Sequence, residues 1–183
     1  IAHGSYGGIG LALYFGIAPM LGASVFALFL GLIIAMITHQ NSTRLDSLIG
    51  VLWAFGMALG IIMSDLTPGY NVDLMSYLFG AILSVSLEDM IGMSGVLFLT
   101  ILFTVLFYKQ LLAMSFDAQF AKLRGLNVKF LYFALVLMIA LGVVIIIRAV
   151  GLILVIALLT IPPYIAEKFT NSLSWMMALS ALL

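Results

Sequence analysis

Charge is what this 183-residue chain has least of: seven Lys/Arg and seven Asp/Glu, 8% of its residues. Soluble domains carry about 25%, so the chain has no ordinary face to offer water. Cysteine is absent altogether, which excludes disulfides, thiolate metal sites and a cysteine nucleophile. Net charge is zero, so there is no basic footprint for nucleic acid. The lysines follow Tyr108, Ala121, Val128 and Glu167, so the Gly-Lys step of a phosphate loop never occurs. Neither G-x-S-x-G nor H-E-x-x-H is present, which removes two common hydrolase signatures. No catalysis is expected of this chain, and no cofactor bound within it.

What is there is apolar: 65% of residues are hydrophobic, arranged in long charge-free runs. A membrane-spanning helix needs about 20 mostly apolar residues. Residues 19–37, 47–64, 90–108, 130–147 and 149–166 meet that length. Gly4 to Ala18 reads as a further span lacking its start, and 173–183 as the beginning of another. The runs lack the alternation of a membrane barrel, so helices are the expected solution. The fold expected is all-α, a polytopic transmembrane bundle forming one domain over 1–183, read as an excerpt lacking both ends.

The few charges set the orientation. Arg44, Lys109, Lys122, Arg124, Lys129 and Lys168 fall in alternate loops, whereas Asp65, Asp73, Glu88 and Asp89 fall in another. Basic residues stay on the cytoplasmic side. Thus 38–46, 109–129 and 167–172 are expected inside and 65–89 outside, with Arg148 the one basic residue on the outer side. The apolar run 74–87 has fourteen residues with acidic neighbours at both ends. It is too short for a span and suits a re-entrant or interfacial helix.

The longest inner loop holds a short helix over 116–124. Ser115 is placed to cap it, Asp117 lies in its first turn, Lys122 and Arg124 in its last, and Gly125 ends it. Phe116, Phe120 and Leu123 share one face; Ala118, Ala121, Lys122 and Gly125 share another. Gly4, Gly8, Ala12 and Gly16 recur every fourth residue, as do Gly56 and Gly60. Small residues at that interval let helix backbones approach in lipid, which is packing and not chemistry.

Ionisable groups near spans are expensive, and so they are the candidates for function. His3 offers an imidazole suited to Zn, Mn or Fe, although a lone histidine is more often a hydrogen-bonded packing residue. His39, beside Arg44, reads as solvated. Asp65, Asp73 and Asp89, with Glu88, are candidates for an external vestibule that attracts cations; a plain solvated rim is an equal alternative.

Five stretches, in order, resemble one family, the permeases of bacterial zinc/manganese/iron ABC importers. IAHGSYGGIGLALYFG is similar to that family's I-S-H-A-x-x-P-G-V-A-L-A, with His3 on its histidine and Ala2 and Gly7 replacing its serine and proline. TRLDSLIGVLWAFGMALGIIMSD resembles its D-x-x-I-G and G-x-A-L-G-I stretch. VDLMSYLFGAILSVSLEDM resembles D-L-x-x-Y-L-F-G-x-I-L-x-V-S-x-x-D through Asp73, Tyr77, Gly80, Ser86 and Asp89. SFDAQFAKLRGLNVKF is similar to F-D-x-x-x-A-x-x-x-G-V, and VGLILVIALLTIPPYIAEKF to V-G-x-L-L-V-x-A-L-L-x-x-P-A-A-x-A, with Pro163 in place of an alanine.

The resemblance implies the fold shared with vitamin B12 and siderophore importer permeases, the type II importer fold. It implies a multi-pass protein of the inner membrane, working as two permease copies in membrane lipid. Two ABC ATPase subunits would hold ATP and Mg, and an external (periplasmic or extracellular) metal-binding protein would deliver the cargo, a divalent ion. It makes 112–128 the ATPase-coupling segment, with Phe116, Asp117, Ala118, Ala121, Lys122 and Gly125 as contacts. A permease for a siderophore or cobalamin chelate is the alternative. An intramembrane enzyme is disfavoured, because 90–108, 130–147 and 149–166 hold no acid or histidine.

Overall fold

A computed structural model describes residues 1–40, 45–68, 79–80 and 85–183. Its helices are α1 (Tyr6–Tyr14), α2 (Pro19–Gln40), α3 (Leu45–Asp65), α4 (Leu87–Phe116), α5 (Ala118–Leu123), α6 (Val128–Phe169) and α7 (Leu173–Leu182). Among the described residues, five stretches are long and apolar enough to cross a membrane: Pro19–Thr38, Asp46–Asp65, Asp89–Phe116, Val128–Ile147 and Ala149–Phe169. The expected spans correspond to these five. Residues 74–78 and 81–84 of the expected re-entrant helix, and Asp73, lie outside the described residues.

The polypeptide folds by close backbone contact. α1 runs antiparallel to α2, with Gly8 against Gly22 and Gly4 against Leu30. It runs parallel to α3, with Gly4 against Gly56 and Gly10 against Gly60. The small-residue row seen in the sequence divides between two seams: Gly8 and Ala12 meet Gly22 of α2, while Gly4, joined by Gly7 and Gly10, meets Gly56 and Gly60 of α3 with almost no side chain between the backbones. Tyr6, Ile9, Ala23, Ala27, Ala140 and Val144 form the core that joins α1 and α2 to α6.

At 42 residues, α6 would run about 63 Å if straight, twice the hydrocarbon thickness of about 30 Å. It does not run straight. Gly151 has φ 78° and ψ 163° inside it, a conformation open to glycine and costly to a residue with a Cβ. The chain reverses there into two limbs. Val143 and Ile147 of limb 1 are buried with Leu152 and Val155 of limb 2. Gly80, also at positive φ, lies on this turn, in contact with Val150 and Gly151. No Cβ fits between them.

Two surface hollows mark the two ends of the bundle. Met20, Ser24, Asp89, Gly92 and Ile145 line one, near the α6 reversal. Thr38, Met114, Ser115, Ala118, Val128 and Tyr132 line the other. The second end carries Lys109, Lys122, Arg124, Lys129 and Lys168, and the first carries Asp65 and Asp89, the division expected from charge.

Three expectations are revised. α4 continues eight residues beyond 108, to Phe116, because Lys109 ends the apolar run without ending the helix. α1 has nine residues, short of the expected Gly4–Ala18, since the backbone turns at Gly16 (φ 68°) before Pro19 starts α2. The span expected over 149–166 runs on past Pro162 and Pro163 to Phe169.

Candidate functional site

His3 lies on the turn that precedes α1. Its carbonyl accepts from Tyr6 N at 3.4 Å, while Ser5 N donates to Ile1 O at 2.9 Å and Ser5 Oγ to Ala2 O at 2.7 Å. Ser5 thus spends its hydroxyl backwards and makes no side-chain cap on α1. The turn is fixed by Gly4, whose Cα lies where a Cβ on Gly56 would stand, 2.6 Å away. That contact sets the depth of His3. Gly56 is the twelfth of 21 residues in α3, and Leu30, on the other side of Gly4, is the twelfth of 22 in α2. The turn bearing the imidazole therefore stands level with the midpoints of two helices long enough to span a membrane. It is half-buried and meets Trp53 edge to face, with ring centroids 5.0 Å apart and an interplanar angle of 64°.

The carboxylates are elsewhere. Asp65 is exposed at the C-terminal end of α3, where the helix dipole disfavours negative charge. Asp89 is the third residue of α4 and completes a capping box: its Oδ2 accepts from Ser86 N at 2.9 Å and Ser86 Oγ at 2.7 Å, while Asp89 N donates to Ser86 Oγ at 3.2 Å. This carboxylate starts a membrane-spanning helix, whatever else it meets. Among the described residues no three His, Cys, Asp or Glu come together as a metal site. His3 is thus not joined by Asp65 and Asp89 in one cluster. One buried polar group escaped the sequence reading: Ser64, whose hydroxyl has no hydrogen-bond partner among the described residues. It continues the Gly56, Gly60 row of α3, and that spacing was its only signal.

At the basic end, α5 is a separate six-residue helix. Its cap is Asp117, accepting from Gln119 N and Phe120 N at 2.9 Å each. Ser115, the expected cap, instead donates back to Leu111 O inside α4. The other end closes as a Schellman turn, with Leu126 N donating to Ala121 O at 3.1 Å and Gly125 N to Lys122 O at 3.0 Å, at φ 81° for Gly125.

The contact face differs from expectation. Ala121 is 0% exposed, because it is the residue by which α5 rests on its own chain. The open face carries Phe116 at 84% exposure, Leu123 at 87% and Phe120, with Arg124 stacked 5.1 Å over the Phe120 ring. Ala118, Lys122 and Gly125 are exposed beside them.

Residues 1–183 match the ABC 3 transport family throughout. The chain is 47% identical over 181 residues to the uncharacterized membrane protein slr2045 of Synechocystis, covering 99% of this chain and 64% of that one. It is 34% identical over 181 residues to the manganese transport system membrane protein MntC of Listeria monocytogenes, again covering 99% and 64%. Among solved structures, PsaBC from Streptococcus pneumoniae in complex with Fab superposes with a TM-score of 0.82 at 35% identity, covering 99% of this chain and 65% of that one. The chain thus spans a little under two thirds of the length of these relatives.

Proposed function

The chain belongs to the ABC 3 transport family, the metal importer permeases, and from that premise we propose that it is the membrane-spanning permease of an ATP-driven importer of a divalent transition metal ion. Manganese is the member of the Zn, Mn and Fe(II) group favoured by the names of its relatives. The observation that carries the reading is the place of His3. It is an imidazole held at mid-membrane by a glycine seam, half-buried and edge-on to Trp53.

A bare ion crossing hydrocarbon needs ligands at mid-depth to replace its water, and neutral imidazole is a good one for these metals. Because His3 is fixed by backbone contact, a relative tilt of α1 and α3 would turn it from one side to the other, as alternating access requires. Asp65, Asp73 and Asp89 then serve as the acidic outer approach. Relatives named for manganese transport favour a bare ion over a metal chelate.

Energy would come from ATPase subunits carrying ATP and Mg. The exposed Phe116 at the end of α4, with Phe120 and Leu123 of α5, suits them as a knob for a cleft at the end that carries the basic residues. A second permease copy and an external metal-binding protein complete the assembly. The test is uptake of radioactive manganese by cells expressing the His3→Ala protein, with membrane level checked by immunoblot. Uptake should fall to background at normal protein level, and Trp53→Phe should retain it. Wild-type uptake by the His3→Ala protein would return His3 to packing.

A further inference from the structure

Ser and Thr hydroxyls inside a helix commonly turn back to the carbonyl four residues earlier, and they do so repeatedly here. Ser24 donates to Met20 O at 2.8 Å, Thr38 to Ile34 O at 2.7 Å and Ser94 to Met90 O at 2.8 Å. The matching acceptor for Ser64 is Gly60 O, one turn back in α3. Ser64 does not use it. The residue is 9% exposed, and its hydroxyl has no partner among the described residues. A buried donor left without an acceptor is costly, and the reason lies on the opposite helix.

A glycine's second Cα hydrogen points where a Cβ would stand. On Gly10 that position falls against Gly60 O, so α1 rests on the oxygen that Ser64 lacks. The geometry repeats along the seam, from Gly60 to Tyr6 O (2.5 Å from the Cβ position) and from Gly56 to Gly4 O (2.6 Å). Such Cα–H···O contacts are individually weak, and an O–H donor binds the same acceptor more strongly. The seam is also the chief hold on α3, which among the described residues packs on α1 and only sparingly on α2. At its far end α1 runs into Gly16, where nothing lies within 4 Å of a Cβ position. That end is therefore not wedged by packing.

We propose that Ser64 is a positioning residue for His3. Gly10 and Ser64 alternate on Gly60 O, which gives the α1–α3 seam two arrangements. In the closed one Gly10 covers that oxygen; in the open one Ser64 Oγ–H is bonded to it. The turn bearing His3 is hydrogen-bonded to α1 through Tyr6 N and Ser5 Oγ, so the imidazole changes place with the helix. The role for His3 rests on the metal-importer reading, whereas the two arrangements of the seam do not.

The experiment uses the full-length permease, in lipid nanodiscs for stability and in cells for manganese uptake. Gly10→Ala places a methyl on Gly60 O and holds the seam open. In the wild-type background Ser64→Ala should leave the melting temperature unchanged or higher, since only an unpaired hydroxyl is removed. In the Gly10→Ala background it should lower the melting temperature, because there the bond has formed. A loss in the wild type, as a partner on a span outside 1–183 would give, or the same change in both backgrounds, would overturn the seam. Spin labels on Tyr14→Cys and Ile61→Cys, at exposed positions of α1 and α3, should report a second discrete distance in Gly10→Ala; an unchanged distance would also overturn it. In cells Ser64→Ala should lower maximal manganese uptake roughly fivefold, the shift one hydrogen bond makes in an equilibrium, with half-saturation unchanged. Ser64→Thr, which keeps the hydroxyl, should retain most of the rate. Wild-type maximal uptake by the Ser64→Ala protein would overturn the positioning role, while uptake by the His3→Ala protein separately decides the metal reading.

Discussion

Replacing Gly56 by alanine adds one carbon at a tight point of the α1–α3 seam. That carbon would stand 2.6 Å from Gly4 Cα and 2.6 Å from Gly4 O, where carbon–carbon contact is comfortable at about 3.5–4.0 Å. Backbone cannot rotate away as a side chain does, so the helices must part by roughly 1 Å. Overpacking of this kind costs about 1–3 kcal/mol, on the order of a 5- to 150-fold loss in the closed arrangement. The chain has two tryptophans, so a Trp175→Phe background leaves Trp53 as the sole indole reporter, 5.0 Å from His3 in the intact seam. In lipid nanodiscs Gly56→Ala should shift Trp53 emission and lower its thermal midpoint. Gly50→Ala is the control on the same helix: nothing lies within 4 Å of a Cβ there. It should be neutral or stabilising by up to about 1 kcal/mol through helix propensity. If Gly56→Ala leaves emission and midpoint at wild-type values, the seam is not a backbone contact, and the depth assigned to His3 goes with it.

Three further outcomes are expected. A single cysteine at Asn71 should react with an impermeant thiol reagent added outside and one at Gln119 should not; the reverse pattern would invert the orientation read from charge. Gly125→Val should unfold the Schellman turn that ends α5, since a left-handed φ costs a residue with a Cβ about 1–2 kcal/mol. Its readout is faster proteolysis between 117 and 126, and unchanged cleavage would refute the assignment. Phe116→Ala with Leu123→Ala should reduce co-purification of the ATPase several-fold while membrane level stays normal. Ala121→Trp should instead loosen α5 from its own chain, and its detachment from the partner without any such loosening would reinstate Ala121 as a partner contact.

The spans were legible because hydropathy and span length are the same physical quantity, the thickness of lipid. Their ends were less so. Lys109 stops an apolar run but not a helix, which is why α4 reaches Phe116. The small residues announced a close contact without saying with what. Gly4, Gly8 and Gly56 meet neighbouring spans, as the spacing implied, whereas Ala121 meets its own chain although it was read as facing a partner. Ser115 and Asp117 are both good caps, and only the geometry shows that Ser115 is still inside α4. His3 was visible as a residue type. Its depth was not, because that depends on which turn of α3 opposes Gly4.

The reversal at Gly151 also governs how the two limbs of α6 are able to move. A connection of one residue has no slack, so the ends of the limbs at Val150 and Leu152 are tethered at a nearly constant separation. Gly80 rests on the same point and leaves no space for it to shift. With that pivot held at the acidic end, the limbs open only as tongs do, widest at Val128 and Phe169. Any rearrangement driven from the basic end therefore has a long lever there and almost no travel at the far side.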